Sequence, residues 1–90
     1  MDPIESLRDD IKNIDHQILE LVSKRMELAR QIGVEKKKLS LPTFDKKVAG
    51  IVIERNMQKS SEFGFDTQLG RELSELLMKY SIMIQEECDN

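Results

Sequence analysis

A run of apolar residues from Ile4 to Ile32 leaves this chain few ways to fold. Ile4, Leu7, Ile11, Ile14, Ile18, Leu21, Leu28 and Ile32 follow one another by threes and fours, interrupted once, at Arg25. That spacing puts all of them on one face of an α-helix. A column beside it reads Arg8, Ile11, Asp15, Ile18, Val22, Arg25, Ala29, Ile32, Lys36. Three cations, Arg8, Arg25 and Lys36, therefore point toward the side that should be buried. An amphipathic helix ordinarily keeps its Lys and Arg on the opposite face. Cations on the wet side need no explanation; these do.

Read from residue 4 to about residue 39, the helix has about 36 residues and spans roughly 54 Å at 1.5 Å rise per residue. A compact chain of this size has a radius of gyration of only about 12 Å. The helix should overhang any monomer it belongs to and expose much of its apolar seam. A seam of that length is normally covered by a partner. The simplest arrangement is a symmetric dimer that pairs first helices antiparallel.

Ninety residues make one small domain, 1–90, marginal alone and better supported as a dimer. Apolar residues at 39% and charged residues at 34% suit amphipathic helices with wet outer faces. Three Phe, one Tyr, no Trp, two Pro and four Gly argue against an all-β fold. A net charge of −3 places general nucleic-acid binding low, since such binders carry a basic excess. Cys88 stands alone near the C-terminus, so no intrachain disulfide can form. His16 is also alone, which gives no metal-ligand spacing, and no metal is expected. No run approaches 18 apolar residues, and Asp2, Glu5, Asp9 and Asp10 do not fit a signal peptide. The expectation is a soluble, cytoplasmic protein with no membrane partner.

Three helices are expected, near 3–39, 45–63 and 66–87. Asp2 is the N-cap of the first, with Pro3 at the first helical position. Its acidic start and the run Lys36-Lys37-Lys38 suit the two ends of the helix dipole. Pro42 stops it, and Thr43 or Asp45 can cap the second helix. Within that helix Val48, Ile51, Val52 and Met57 form the apolar set, with Glu54, Arg55 and Lys59 outside. Gly50 weakens it by up to ~1 kcal/mol unless close packing needs the missing side chain. Gly64 closes it and Asp66 caps the third helix. The stripe of the third helix is Leu69, Leu73, Leu76, Tyr80 and Met83, flanked by Leu77 and Ile84, with Ser81 and Gln85 at its edge.

Arg25 and Lys36 are three turns apart, share a face, and lie roughly 16 Å apart along the axis. Their long stems can converge on one ligand of about 10 heavy atoms. Arg8 lies about 25 Å from Arg25 and cannot comfortably reach that ligand in its own chain. An antiparallel partner would bring its own copy of Arg8 back to the Arg25–Lys36 half. Arg presents a fork suited to carboxylates, and Lys a point charge suited to one oxygen. The ligand implied is a small polyanion, a dicarboxylate first of all. The competing reading pairs these cations with Asp15, Asp45 or Glu35 in structural bridges, and periodicity favours neither. No nucleophile–base pair and no glycine-rich phosphate loop is visible.

Leu7-Arg8, Ile14-Asp15, Arg25, Lys36, Asp45, Ser81 and Gln85 together resemble the motif of the AroQ-class chorismate mutases. The spacing fits without a gap from Arg8 to Gln85, nearly the whole chain. The resemblance implies an all-α fold in which three helices per chain, the first very long, intertwine into a six-helix homodimer. It also implies a cofactor-free Claisen rearrangement of chorismate to prephenate, a step of aromatic amino acid biosynthesis. By position, Arg25 and the partner's Arg8 would hold the two carboxylates. Lys36 and Gln85 would hydrogen-bond the ether oxygen, Ser81 would assist a carboxylate, and Asp45 would line the ring-binding wall.

One departure stands out. The family commonly has Asp-x-x-Arg-Glu where this chain has Asp45-Lys46-Lys47-Val48-Ala49. The Arg position contributes partly through its backbone, which Val48 retains, whereas the carboxylate that accepts the ring hydroxyl is missing at Ala49. Loss of one charge-assisted hydrogen bond costs about 1.5–3 kcal/mol, or roughly 10–100-fold. Mutase activity is expected, but weakened. Isochorismate-pyruvate lyases of the same fold carry an apolar residue at the Glu position but keep the preceding Arg, and rank second. A catalytically silent dimer that binds a metabolite or regulates a partner enzyme is the alternative from another class.

Overall fold

A computed structural model describes residues 2–87, which form three α-helices and no strand. They are α1 (Pro3–Lys38), α2 (Lys46–Glu62) and α3 (Thr67–Glu87). Each end agrees with its expected position to within one residue. The Asp2 carboxylate accepts from the amide of Ile4 at 2.8 Å. Asp45, rather than Thr43, caps α2, its Oδ1 accepting from the amides of Lys47 at 3.0 Å and Val48 at 3.3 Å. Asp66 caps α3 through the amide of Gln68 at 2.8 Å. Cys88 lies outside the described residues.

Both interhelical turns close with the same pair of backbone bonds. After α1, Ser40 donates to the carbonyl of Lys37 and Leu41 to that of Lys36. After α2, Gly64 donates to Ser61 and Phe65 to Ser60. This double bond pattern needs a left-handed residue just past the helix. Gly64 supplies it at φ 83°, and Ser40 takes the same region at φ 55°.

α3 packs against both α1 and α2, while α1 and α2 do not pack on each other. The result is a flat, elongated body of 56 × 26 × 14 Å with a radius of gyration of 16.4 Å. α1 alone accounts for the long dimension, as its overhang requires. Between α1 and α2 a gap remains, floored by α3 and closed at one end by the 39–45 loop.

The apolar stripes do not face this interior. The α1 seam from Ile4 to Ile32 is between 49% and 63% exposed, and Leu69, Leu73, Leu76, Tyr80 and Met83 of α3 are exposed as well. The most buried residues between the helices are small or polar, Ala29 and Gly33 of α1, Ser60 of α2, and Gly70, Ser74, Ser81 and Gln85 of α3, with Val52, Ile53, Met57, Leu77, Met78 and Ile82 half-buried. Ala29 is the one buried apolar side chain among the described residues. Of the apolar set expected inside, Val52 and Met57 are half-buried while Val48 and Ile51 are exposed, and Asn56 and Ser60 also turn inward, Asn56 toward α3. Asn56 Nδ2 donates to Ser74 Oγ at 2.9 Å, and Ser60 Oγ donates to the Asn56 carbonyl at 2.7 Å. At the crossing, a Cβ on Gly70 would lie 1.8 Å from Ser60 Oγ and 2.8 Å from its Cβ. Gly50, by contrast, has nothing within 4 Å of its missing Cβ, so no intrachain packing explains it.

The chain buries little apolar surface for the ordering entropy of its 86 described residues. Among the described residues no helix is long and apolar enough to cross a membrane.

Candidate functional site

The gap between α1 and α2 holds a cavity of about 120 Å³. Arg25 and Lys36 enter it from α1, Thr43, Phe44 and Asp45 from the loop, Val48, Ala49 and Val52 from α2, and Met78, Ser81, Ile82 and Gln85 from α3. Seven of the eight residues expected at the site thus meet in one place. Arg8 does not: it lies exposed on the free half of α1 and takes no part in lining the cavity of its own chain. A larger, shallow groove runs along the outer side of α2, past Lys46, Lys47, Gly50, Ile51, Glu54 and Arg55, away from this chemistry.

The two inward cations are held by neutral groups. Arg25 Nη1 donates to Ser81 Oγ in a short hydrogen bond and more weakly, at 3.4 Å, to the carbonyl of Leu77. Ser81 Oγ in turn donates to the same carbonyl at 2.7 Å. Lys36 Nζ donates to Gln85 Oε1 at 3.0 Å and to the carbonyl of Thr43 at 2.9 Å, so it ties α1 to α3 and to the loop. The structural-bridge reading is not met. Among the described residues neither Arg25 nor Lys36 enters an ion pair; Glu35 pairs with Lys38 at 3.2 Å, and Asp45 spends one oxygen on its helix cap.

These contacts fix what the site can still offer. Lys36 can only donate, so the atom of Gln85 facing it must be the carbonyl oxygen, and the amide hydrogens of Gln85 remain for a ligand. The Lys36 ammonium keeps a third hydrogen. Arg25 has spent only Nη1, which leaves the Nε–H and Nη2–H edge, a two-pronged donor matched to a carboxylate. Burial, and then the charge of Arg55, hold the Arg25 guanidinium below its ordinary pKa. It stays charged at neutral pH all the same, since arginine starts so high. A desolvated cation without a counter-charge favours an anionic ligand.

Facing the cations, Val48, Ala49, Val52, Met78 and Ile82 form an aliphatic wall. The arrangement suits a flat or puckered hydrocarbon body with anionic groups at one end. Met78 and Ile82 were not singled out from the sequence, and Val52 was read only as part of the apolar set of α2. Their signal was present, however: Val52 follows Val48 by four, Ile82 precedes Gln85 by three, and Met78 precedes Ser81 by three. The Thr43 and Leu77 carbonyls had no signal, because a backbone oxygen has no letter of its own.

Comparison with known proteins adds to this geometry. No curated protein matches the chain. A solved structure, a conserved hypothetical protein from Pyrococcus furiosus, is similar at 35% identity, covering 94% of this chain and 97% of that one with a TM-score of 0.75. The family model for chorismate mutase type II matches residues 7–86, from the residue before Arg8 to the residue after Gln85. The chain therefore belongs to the chorismate mutase type II family.

Proposed function

We propose that this protein is a chorismate mutase acting as a homodimer, which converts chorismate to prephenate without a cofactor. One observation carries the reading: Arg25 with Ser81 and Lys36 with Gln85 present donors to one cavity that has an aliphatic opposite wall. A pericyclic rearrangement needs no acid, base or nucleophile. It needs a chair-like conformer held in place and donors where negative charge grows.

In this reading the Nε/Nη2 edge of Arg25 takes one carboxylate of the substrate. Lys36 and the Gln85 amide, adjacent through their own hydrogen bond, converge on the ether oxygen as its bond to carbon breaks and its charge rises. Because Gln85 has no titratable proton, its donor is available at any pH. The aliphatic wall orients the ring. Asp45 lines the cavity from the loop, and the Val48 amide, which donates to it at 3.3 Å, lies beside it. The second carboxylate lacks a cation in the protomer, and the partner's Arg8 supplies it. The dimer itself is supported by the exposed seams of α1 and α3 and by the near absence of buried apolar side chains.

A second reading has one observation behind it. Val48 and Ala49 both line the cavity, so the wall is apolar where the family has its Arg-Glu pair. That favours an isochorismate-pyruvate lyase. Incubation with chorismate and with isochorismate separately, followed by product identification, tests both. Prephenate from chorismate is the expected result; pyruvate from isochorismate alone would overturn it in favour of the lyase.

A further inference from the structure

The seam of α1 reads the same from either end. Leu7 and Ile32, Ile11 and Leu28, and Ile18 and Leu21 each lie equally far from a point between Leu19 and Glu20. Two antiparallel copies centred on that point set apolar residue against apolar residue. The one exception sets Ile14 against Arg25, whose head is drawn away to Ser81 on α3. In this register Arg8 of one chain stands opposite Gln31 of the other, between Arg25 and Lys36. Sliding it by one heptad keeps the seams paired but sends Arg8 opposite Lys24 or Lys38, outside that span.

The same register gives a place to Asp15, an inward acid that the cavity does not use. Asp15 lies two turns beyond Arg8 and about 20° round the helix, so both point to one side. On α2, Arg55 lies two turns beyond Val48, which lines the cavity, by the same step. α3 runs alongside α1, since Ser81 meets Arg25 and Gln85 meets Lys36. α2 runs against α3, since Asn56 meets Ser74 and Ser60 meets Gly70. α2 therefore runs in the direction of a partner's antiparallel α1, and the two steps advance together. Where the partner's Arg8 reaches the cavity, the partner's Asp15 arrives at Arg55.

Both groups await such a contact. Asp15 and Arg55 are exposed, and neither enters an ion pair among the described residues. Arg55 Nε donates only to Asn56 Oδ1, at 3.3 Å. Lys24, which the register sets opposite the partner's Asp15, is already held by Glu20 at 3.4 Å. Burial, and then the charge of Arg55, lower the pKa of Arg25, so the two guanidiniums repel each other with no carboxylate of their own protomer to offset it.

We propose that each Asp15 forms an ion pair with the partner's Arg55, two pairs per dimer, docking the free half of α1 against α2 of the other chain. α2, which the apolar seams leave out, thereby joins the interface. The pair also selects the register that delivers Arg8, because a slide of one heptad moves Asp15 about 10 Å along the axis. This rests on the reading of the protein as an antiparallel dimer, so the test reports on the dimer and on the pair separately.

An ion pair at a rim adds little affinity, whereas like charges set against each other cost much more, so the test reverses charges. Asp15→Lys homodimers set cation against cation twice, and Arg55→Glu homodimers carboxylate against carboxylate twice. A dimer with one chain of each kind holds two complementary pairs. Full-length variants refolded together in equal amounts should give over about 90% mixed dimer by native mass spectrometry, against the half expected from chance. Should either variant fail to fold alone, recovery of helicity on mixing reports the same preference, and no recovery overturns the proposal. A statistical mixture, with wild type dimeric, overturns the ion pair and leaves the mutase reading standing. A monomeric wild type overturns both. Replacing Arg55→Glu by Arg25→Glu should leave the mixture statistical; an equal or stronger bias there assigns Asp15 to the partner's Arg25 and overturns the proposal.

Discussion

Arg25 breaks the apolar rhythm of its helix, and the structure gives the reason: it faces a cavity in which its hydrogen-bond partners are a hydroxyl and a carbonyl. A structural arginine in a half-buried position would have an acidic partner, because leaving one member of an ion pair unmatched costs several kcal/mol. Arg25→Ala should therefore abolish turnover with only a modest loss of stability, from the contacts of its stem. Retained activity in steady-state assays would remove Arg25 from the site. At position 49 the direction reverses. Ala49 lines the cavity, and Ala49→Glu should raise kcat/KM on chorismate by up to about 100-fold if the ring hydroxyl regains a charged acceptor. The new carboxylate sits within the first turn of α2, where negative charge is tolerated, so the fold should persist. A lyase would respond with the opposite sign, losing activity on isochorismate.

Among the elements, α3 sets the geometry. It alone touches both other helices, and its close contacts with α2 include Gly70 against Ser60 and Ser74 against Asn56. Small residues let the two axes come close, which fixes the height of Val48, Ala49 and Val52 above Ser81 and Gln85. Gly70→Ala puts a methyl group into Ser60, against both its Oγ and its Cβ. Alanine favours a helix by up to about 1 kcal/mol over glycine, but overpacking of this kind typically costs about 1–3 kcal/mol. The expected net effect is a lower thermal midpoint and weaker ligand binding, both read from the same protein preparation. A higher midpoint would mean that α2 and α3 separate without strain. Gly50→Ala makes the contrasting case. With open space around the site, it should stabilise α2 by up to about 1 kcal/mol. A destabilised variant would show that a partner chain approaches α2 there.

At the scale of the whole molecule, the protomer is a scaffold turned inside out. Its long seams face solvent, and its interior holds the polar site. In the proposed dimer, association would supply the apolar burial that folding requires, so stability should depend on protein concentration. A helical monomer at micromolar concentration, by sedimentation and circular dichroism together, would contradict the proposed dimer. Site sharing is tested separately. Arg8→Ala and Arg25→Ala chains, each inactive, should regain about a quarter of wild-type activity when unfolded, mixed in equal amounts and refolded. Half of the dimers are then mixed, and one of the two sites in each carries both arginines. No recovery, with mixed dimers shown to form, would mean that Arg8 serves its own chain.

Much of this was legible from residue order alone. Helical periodicity, the caps Asp2, Asp45 and Asp66, and Gly64 determine where the helices begin and end, because these signals act within a turn or two of chain. The inward cations were legible for the same reason: Arg25 and Lys36 stand out against a local pattern. The packing between helices was not. Apolar periodicity marks a face that avoids water without saying what covers it, and here the marked faces of α1 and α3 turn away from their own protomer. Part of the face of α2 that meets α3 is Asn56 and Ser60, which carry no hydrophobic signal. Ser40 in a left-handed conformation escaped notice because only glycine advertises that region. The partners of Arg25 and Lys36 likewise belong to tertiary structure. Ser81 and Gln85 lie about fifty residues away in the chain, and only the close approach of α1 to α3 decides which atom of each meets a cation.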